Sequence, residues 1–296
     1  MVRPIGMLVG LGFVVALLWS LLWSVVSFVQ EPPAETAEHA FYEHPKQNIS
    51  WSFEGVGGKF NNRQVQRGFQ VYKEVCSACH SLHQVSFRDL EAIGFSKPEV
   101  KAIANQWVIE VPSINPDTGE AATRKAMPFD KFPSPYANEV AARAANNNAL
   151  PPDLSLMAKA REDGSKYIYS LLTGYEAQPA ELLRKFPDAK TPPGLHYNPY
   201  FRNLNIAMAP PLVDGSVTYT DGTATSAKQN AKDVAAFLTW TAEPNLASRH
   251  AVGWPTLLYL LILTALAYLA YRNIWAGKKG KTAKPSVDGP VEHPLP

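Results

Sequence analysis

The stretch Val75-Cys76-Ser77-Ala78-Cys79-His80-Ser81-Leu82-His83, "VCSACHSLH", holds both cysteines of this 296-residue chain and two of its seven histidines. Three chemistries use such a spacing: half of a zinc site, a dithiol redox pair, and covalent attachment of haem. Zinc asks for two more ligands, and with no other cysteine these fall to His83 and His196. A thioredoxin-like dithiol sits at a strand-to-helix turn of a βαβ unit, a pattern this neighbourhood does not show. In the haem reading, Cys76 and Cys79 each form a thioether with a vinyl group of one porphyrin. His80, next to the second thiol, then lies under the iron as an axial ligand. CxxC alone is weakly specific; the adjoining histidine in an exported chain narrows it sharply.

Export follows from the flanks. One apolar stretch covers about 5–29 behind Arg3 and stops at Gln30-Glu31-Pro32-Pro33; another covers about 254–271. Both lengths suit a spanning helix, which takes about 17–25 residues. Arg272, Lys278, Lys279, Lys281 and Lys284 follow the second stretch. By the positive-inside rule they put the tail in the cytoplasm and the segment between the stretches outside, with Trp254, Tyr268, Tyr271 and Trp275 as interfacial aromatics. The first stretch, with its short basic start, gives the same topology independently. It reads as a signal peptide, with small residues at Ala34, Ala37 and Ala40 for a peptidase, or as a retained anchor, which its length favours. A start poor in Arg and Ser argues against a mitochondrial presequence.

The expected organisation is therefore an N-terminal hydrophobic segment (1–30), a periplasmic mono-haem domain (31–250), a transmembrane anchor (251–275) and a basic cytoplasmic tail (276–296). This describes a protein of a bacterial inner membrane in contact with lipid. A net charge of +2 supplies no global field for nucleic acid or a strongly acidic ligand.

Between the anchors, 25 prolines in the chain argue for long ordered loops around a small helical core. Residues 31–60 read as an extended arm. Val65, Phe69, Tyr72 and Cys76 recur at i, i+4, i+7 and i+11, which predicts a helix over 62–77 with the first cysteine on its apolar face. Further helices are expected over 97–107, 138–146, 153–161, 164–173 and 227–241, the last with Val234, Phe237 and Leu238 inward. A surface excursion is expected over 112–135, and a small β-hairpin around Asp221-Gly222. The fold class is mainly α: a c-type cytochrome haem domain with long Pro-rich loops and a small hairpin, plus a C-terminal transmembrane helix and an N-terminal hydrophobic helix.

An iron closed on its second face by methionine sulfur suits electron transfer, whereas an open position suits catalysis or sensing. Met127 in "KAMPFD" and Met208 in "LNIAMAPPLVDG" are equal candidates on chemistry alone. Met157 has helical spacing and reads as core filler. His83 and His196 are minor options for a second histidine ligand.

The blocks "QRGFQVYKEVCSACHS" (66–81), "AARAANNNALPPDLSLMAKAR" (141–161), "YIYSLLTGY" (167–175), "GLHYNPYF" (194–201), "IAMAPPL" (206–212) and "AKDVAAFLTWTAEP" (231–244) occur in this order. Together they resemble the cytochrome c1 family, the haem subunit of the quinol:cytochrome c oxidoreductase, or bc1 complex. The resemblance implies one haem c held by two thioethers at Cys76 and Cys79, with His80 and Met208 as axial ligands, and it removes Met127 from contention. It also implies Arg161 and Tyr167 as partners of a haem propionate, with Asn146 and Pro152 shaping the pocket wall. His83 falls back to an ordinary loop residue.

The implied partners are cytochrome b, the Rieske iron–sulfur protein as electron donor and a soluble or tethered cytochrome c as acceptor, in a dimeric complex. The chain itself has no catalytic residue; quinol–cytochrome c reductase activity belongs to the complex. Two departures from the commoner family form stand out. The N-terminal hydrophobic stretch is long enough to be kept, and the 112–135 loop is less acidic than a basic acceptor would favour. A free-standing tethered carrier and a haem protein with a labile sixth position are the competing readings from other classes.

Overall fold

The computed structural model describes residues 2–32 and 34–276. Helix α1, Val2–Gln30, carries apolar side chains on all sides and buries none of its apolar window among the described residues, with a mean hydropathy of 2.4 from Arg3 onward. At about 1.5 Å per residue it exceeds the roughly 30 Å of a hydrocarbon core. The arm that follows is less extended than the sequence suggests. Thr36 caps a short helix α2 (Ala37–Phe41) by accepting the His39 N–H, and Ala37 joins a small satellite core.

Helix α3 (Asn62–Glu74) starts at an Asn61 cap and buries Val65, Phe69 and Tyr72, as its periodicity requires. Ser86 and Asp89 form a capping box for a 3-10 segment (Phe87–Ile93). Ser96 and Glu99 do the same for α4 (Lys97–Asn105), with Pro98 in its first turn. The excursion over 112–135 contains a ladder that the sequence did not suggest. Strands β1 (Val111–Ile114) and β2 (Ala121–Arg124) pair antiparallel, Val111 opposite Arg124 and Ile114 opposite Ala121.

Helix α5 (Glu139–Ala145) follows an Asn138 cap. The helix expected over 153–161 shrinks to one turn, α6 (Met157–Ala160), because the Asp153 side chain and the Leu154 N–H are held by the cysteine loop, as described below. Helix α7 (Gly164–Thr173) matches expectation, while α8 (Ala180–Lys185) was not foreseen. Leu182 of α8 packs with Ala37, Tyr197 and Leu204 in the satellite core. Two-residue strands β3 (His196–Tyr197) and β4 (Asn205–Ile206) pair antiparallel.

No ladder forms around Asp221-Gly222, contrary to the expected hairpin. The backbone there is engaged elsewhere. Gln70 of α3 donates to the Thr218 carbonyl, Tyr219 is buried beneath the Arg67 guanidinium, and Asp221 accepts the Thr223 N–H in a local turn. The small hairpin of the fold is β1–β2 instead.

Helix α9 (Ala227–Ala242) is the central element, packing on α3, α6 and α7. Its crossing with α3 is close because Gly68 has no side chain: a Cβ there would lie 2.0 Å from the Asp233 carbonyl oxygen and 2.7 Å from the Phe237 Cβ. Phe237 sits 5.7 Å from Phe69 and 5.6 Å from Tyr72, ring centre to ring centre, and stacks on Trp240. The apolar faces that the periodicity of 65–72 and of 234–238 predicts meet at this crossing. The core continues through Phe132 to Phe87 and Trp107.

Helix α10 (Leu246–Ala276) begins eight residues before the apolar stretch. Its first turns pack with the rest of the fold: Leu246 is buried, His250 Nδ1 meets the Gly58 carbonyl at 3.0 Å, and Arg249 pairs with Glu243. The remainder is apolar and exposed on all faces, with a mean hydropathy of 1.8. Such a surface asks for lipid or neighbouring helices. The lysines of the basic tail lie outside the described residues.

Candidate haem-binding site

Helix α3 stops at Glu74, earlier than its periodicity suggests, and the chain tightens into a 3-10 turn, Cys76–Ala78. The N–H groups of Cys79 and His80 both reach the Cys76 carbonyl, at 3.2 and 2.9 Å. Two thiols and an imidazole thus share one compact turn. Both cysteines are free thiols and half-buried. Burial, and after it the neighbouring Cys79, pushes the Cys76 thiol up to about 12. Among the described residues no group of three His, Cys, Asp or Glu side chains converges to hold a metal ion.

His80 is oriented from across the fold. Its Nδ1 lies 2.8 Å from the Pro152 carbonyl oxygen, which must accept, so Nδ1 carries the proton and Nε2 is left free to ligate. Burial lowers the His80 pKa, outweighing the Pro152 carbonyl and Asp153. The ring is therefore held neutral, the form that binds iron. Tyr72 of α3 donates to the His80 carbonyl at 3.1 Å and holds the backbone of the turn.

The segment 152–155 is laced along 80–84. Asp153 Oδ2 accepts from Ser81 Oγ at 2.9 Å and from the His83 N–H at 2.8 Å, and it pairs with His83 Nδ1 at 3.1 Å. Leu154 N–H donates to the Ser81 carbonyl and Gln84 N–H to Ser155 Oγ, each at 3.0 Å. Asp153 is thus a structural partner that local pattern did not single out. His83 is not idle either: its Nε2 meets Ser134 Oγ at 2.6 Å and joins a third segment to the site. The only signal for these contacts in sequence was the polar character of "PPDLS" between apolar residues.

Pro152 therefore contributes a carbonyl acceptor rather than only a rigid wall. Asn146 is bound locally, its amide donating to the Ala142 carbonyl at 2.7 Å and to the Tyr136 hydroxyl at 3.0 Å. That hydroxyl also meets the Cys79 sulfur, which brings Asn146 and Tyr136 to the thiol side of the site. Arg161 and Tyr167 come together, the guanidinium carbon 6.0 Å from the ring centre. One guanidinium nitrogen donates to the Ala160 carbonyl, and no other hydrogen bond of this group is made among the described residues.

The two candidate methionines differ in setting. Met208 is half-buried just beyond β4, and its carbonyl accepts the Tyr175 hydroxyl at 3.0 Å. Tyr175 follows α7, so the Met208 loop is tied to a helix that packs on α9. Met127 is 46 % exposed, on a loop turned by its own N–H to Asp130. A braced, half-buried thioether fits an axial ligand better than an exposed one. His196 of β3 faces Tyr175 edge-on, ring centres 6.5 Å apart. As a donor set, two free thiols, an imidazole with Nε2 free and a half-buried methionine with a braced backbone fit haem c.

The sequence profile of the Cytochrome C1 family matches residues 51–278. Cytochrome c1 of Rhodospirillum rubrum is 44 % identical over 243 residues, covering 77 % of this chain and 87 % of that protein. Cytochrome c1, heme protein, mitochondrial, of Saccharomyces cerevisiae is 43 % identical over 243 residues, covering 82 % and 75 %. Cytochrome b/c1 of Bradyrhizobium diazoefficiens is 41 % identical over 242 residues, covering 76 % of this chain and 35 % of that protein. With both its sequence and the arrangement around His80 pointing the same way, the chain belongs to the cytochrome c1 family of electron-transport haem proteins of the bc1 complex.

Proposed function

We propose that this chain accepts one electron from the Rieske iron–sulfur protein and passes it to a soluble or membrane-tethered cytochrome c within a bc1 complex. The observation that carries the reading is the His80 imidazole, neutral and aimed by the Pro152 carbonyl, directly after two free thiols on one turn. Haem, when bound, supplies an iron that changes oxidation state by one electron.

The chain's own residues do the rest. Cys76 and Cys79 would hold the group by two thioethers, with His80 Nε2 and the Met208 sulfur as the iron's ligands. A methionine on the second face raises the potential relative to a second histidine and leaves no position for substrate. Arg161, with its guanidinium largely uncommitted, and Tyr167 hold a propionate through charge-assisted hydrogen bonds. Tyr136 and Asn146 line the thiol side. Two apolar helices fit an anchored protein with the haem domain in the periplasm and the C-terminus in the cytoplasm. The relative named cytochrome b/c1 supports cytochrome b as a neighbour.

Purification of the chain from its membrane in mild detergent tests the reading. Cytochrome b and an iron–sulfur protein are expected to co-purify, and mass spectrometry of the chain should show the added mass of one haem on the peptide holding Cys76 and Cys79. Isolation of a loaded chain free of both partners would overturn membership in the complex and favour a free-standing carrier. A chain without covalent haem would overturn the site.

A further inference from the structure

The segment that carries Met208 has little hydrogen bonding of its own. Among the described residues, the bond from the Tyr175 hydroxyl to the Met208 carbonyl, at 3.0 Å, is the one that reaches residues 207–211. Pro210 and Pro211 have no N–H to donate. Tyr175 is half-buried and follows Gly174, directly after α7. Gly174 lets that turn pack closely: a Cβ there would stand 2.3 Å from Cδ2 of the Tyr200 ring and 2.6 Å from the Ser170 carbonyl oxygen.

The corner in front of this segment is fixed to the same end of α7. Asn198, fully buried between β3 and β4, donates its side-chain amide to the Leu171 carbonyl of α7 at 2.8 Å. Its backbone N–H donates to the Leu204 carbonyl at 2.8 Å, and its side-chain oxygen accepts the Tyr200 N–H at 3.1 Å. Leu204 is buried with a φ of 59°, a left-handed conformation that a bulky residue keeps only where its surroundings over-determine it. Ile206, paired with His196, then leads to Met208 two residues later. The chain is thus held as far as Ile206 and again from the buried Leu212. Between those points one hydroxyl restrains the backbone.

We propose that Tyr175 is a positioning residue for the sixth ligand: its hydroxyl, bonded to the Met208 carbonyl, keeps the Met208 sulfur at the iron and the second face closed. The proposal rests on the reading of Met208 as axial ligand. Five residues without a ladder can turn away through backbone torsions alone, and the Tyr175 bond is the contact that opposes this. It acts on the backbone of the ligand residue. Losing it changes how firmly the sulfur is held, not which atom is presented. A methionine on the second face raises the potential. A chain whose sulfur is loosely held therefore has a lower potential and a face accessible to small ligands.

The test uses the haem-loaded complex in detergent, with Tyr175→Phe removing the hydroxyl and leaving the ring. Three quantities are read: the weak red-edge absorption of methionine-ligated ferric haem, the rate of carbon monoxide binding to reduced haem, and the reduction potential. Tyr175→Phe should weaken the band, lower the potential and speed carbon monoxide binding about tenfold, the factor that goes with one lost hydrogen bond. Tyr169→Phe, which removes a part-buried hydroxyl from α7 itself, should leave all three as in wild type. Asn198→Ser, too short to reach the Leu171 carbonyl, should act in the same direction as Tyr175→Phe, and it decides the matter if the phenylalanine variant takes up no haem. If Met208→Leu opens the haem to carbon monoxide and neither Tyr175→Phe nor Asn198→Ser does, the positioning role is overturned. It is overturned equally if Tyr169→Phe matches Tyr175→Phe, since any loosening of α7 would then suffice. If Met208→Leu changes none of the three, the ligand reading itself fails, and the role of Tyr175 with it.

Discussion

The Nδ1 of His80 lies 2.8 Å from the carbonyl oxygen of Pro152, a residue 72 positions later in the chain. That contact selects the tautomer of the candidate iron ligand. The neighbouring Asp153 keeps it in register by binding Ser81 and His83. Asp153→Ala removes a carboxylate that accepts two hydrogen bonds from the cysteine loop, at an expected cost of about 2 kcal/mol. The urea midpoint of the solubilised chain should fall accordingly, and covalent haem loading should fall with it.

The same carboxyl predicts an acid limb. Burial pushes the Asp153 pKa up, but the N–H groups and hydroxyls of His83, Ser155 and Ser81 outweigh it, and the net shift is below the ordinary value of 3.8. A depressed carboxylate contributes stability that is present above its unfolded pKa and lost as pH falls through the lower folded value. Wild-type stability should therefore decline below about pH 4. Asp153→Asn should lack this component, so the difference between the two midpoints should be largest near neutrality and shrink in acid. Equal differences at pH 3 and pH 7, on the order of the same size, would refute it.

Gly68→Ala tests the crossing of α3 and α9. Its new Cβ would meet the Asp233 carbonyl oxygen at 2.0 Å, with backbone on both sides and no flexible side chain to yield. The helices must separate, which is expected to cost about 3 kcal/mol and to appear as a lower denaturation midpoint.

Asp233 is fully buried and accepts from Gln64, Gln229 and the Arg67 guanidinium, the last at 2.8 Å. Asp233→Ala leaves a partly buried cation facing only Asp221, so a loss of about 3–5 kcal/mol is expected from thermal or urea unfolding. Asp221→Ala, at the exposed end of the same guanidinium, should shift the midpoint far less, because solvent screens that pair.

Replacing methionines separates the two ligand candidates. Met208→Leu should lower the reduction potential and let carbon monoxide bind the reduced haem, since leucine offers no sulfur to the iron. Met127→Leu should leave both unchanged. The reverse pattern in a redox titration would move the axial ligand to the loop beside Phe129.

The sequence by itself determined the CxxCH motif, the two apolar helices and the amphipathic face of α3. Each depends on residues within a few positions of one another, or on a periodicity that repeats along one element. Motif order added the family. It did not reveal the β1–β2 ladder, the folding of the arm against α8, or the fate of the 218–223 segment, whose backbone bonds go to α3 side chains. Nor did it show that Pro152 and Asp153 position His80, or that the Tyr175 hydroxyl meets the Met208 carbonyl. Those outcomes rest on hydrogen bonds and ion pairs between segments far apart in the chain. Such pairings leave no local period, because which donor meets which acceptor is settled only when α3, α7 and α9 pack and bring the loops between them together.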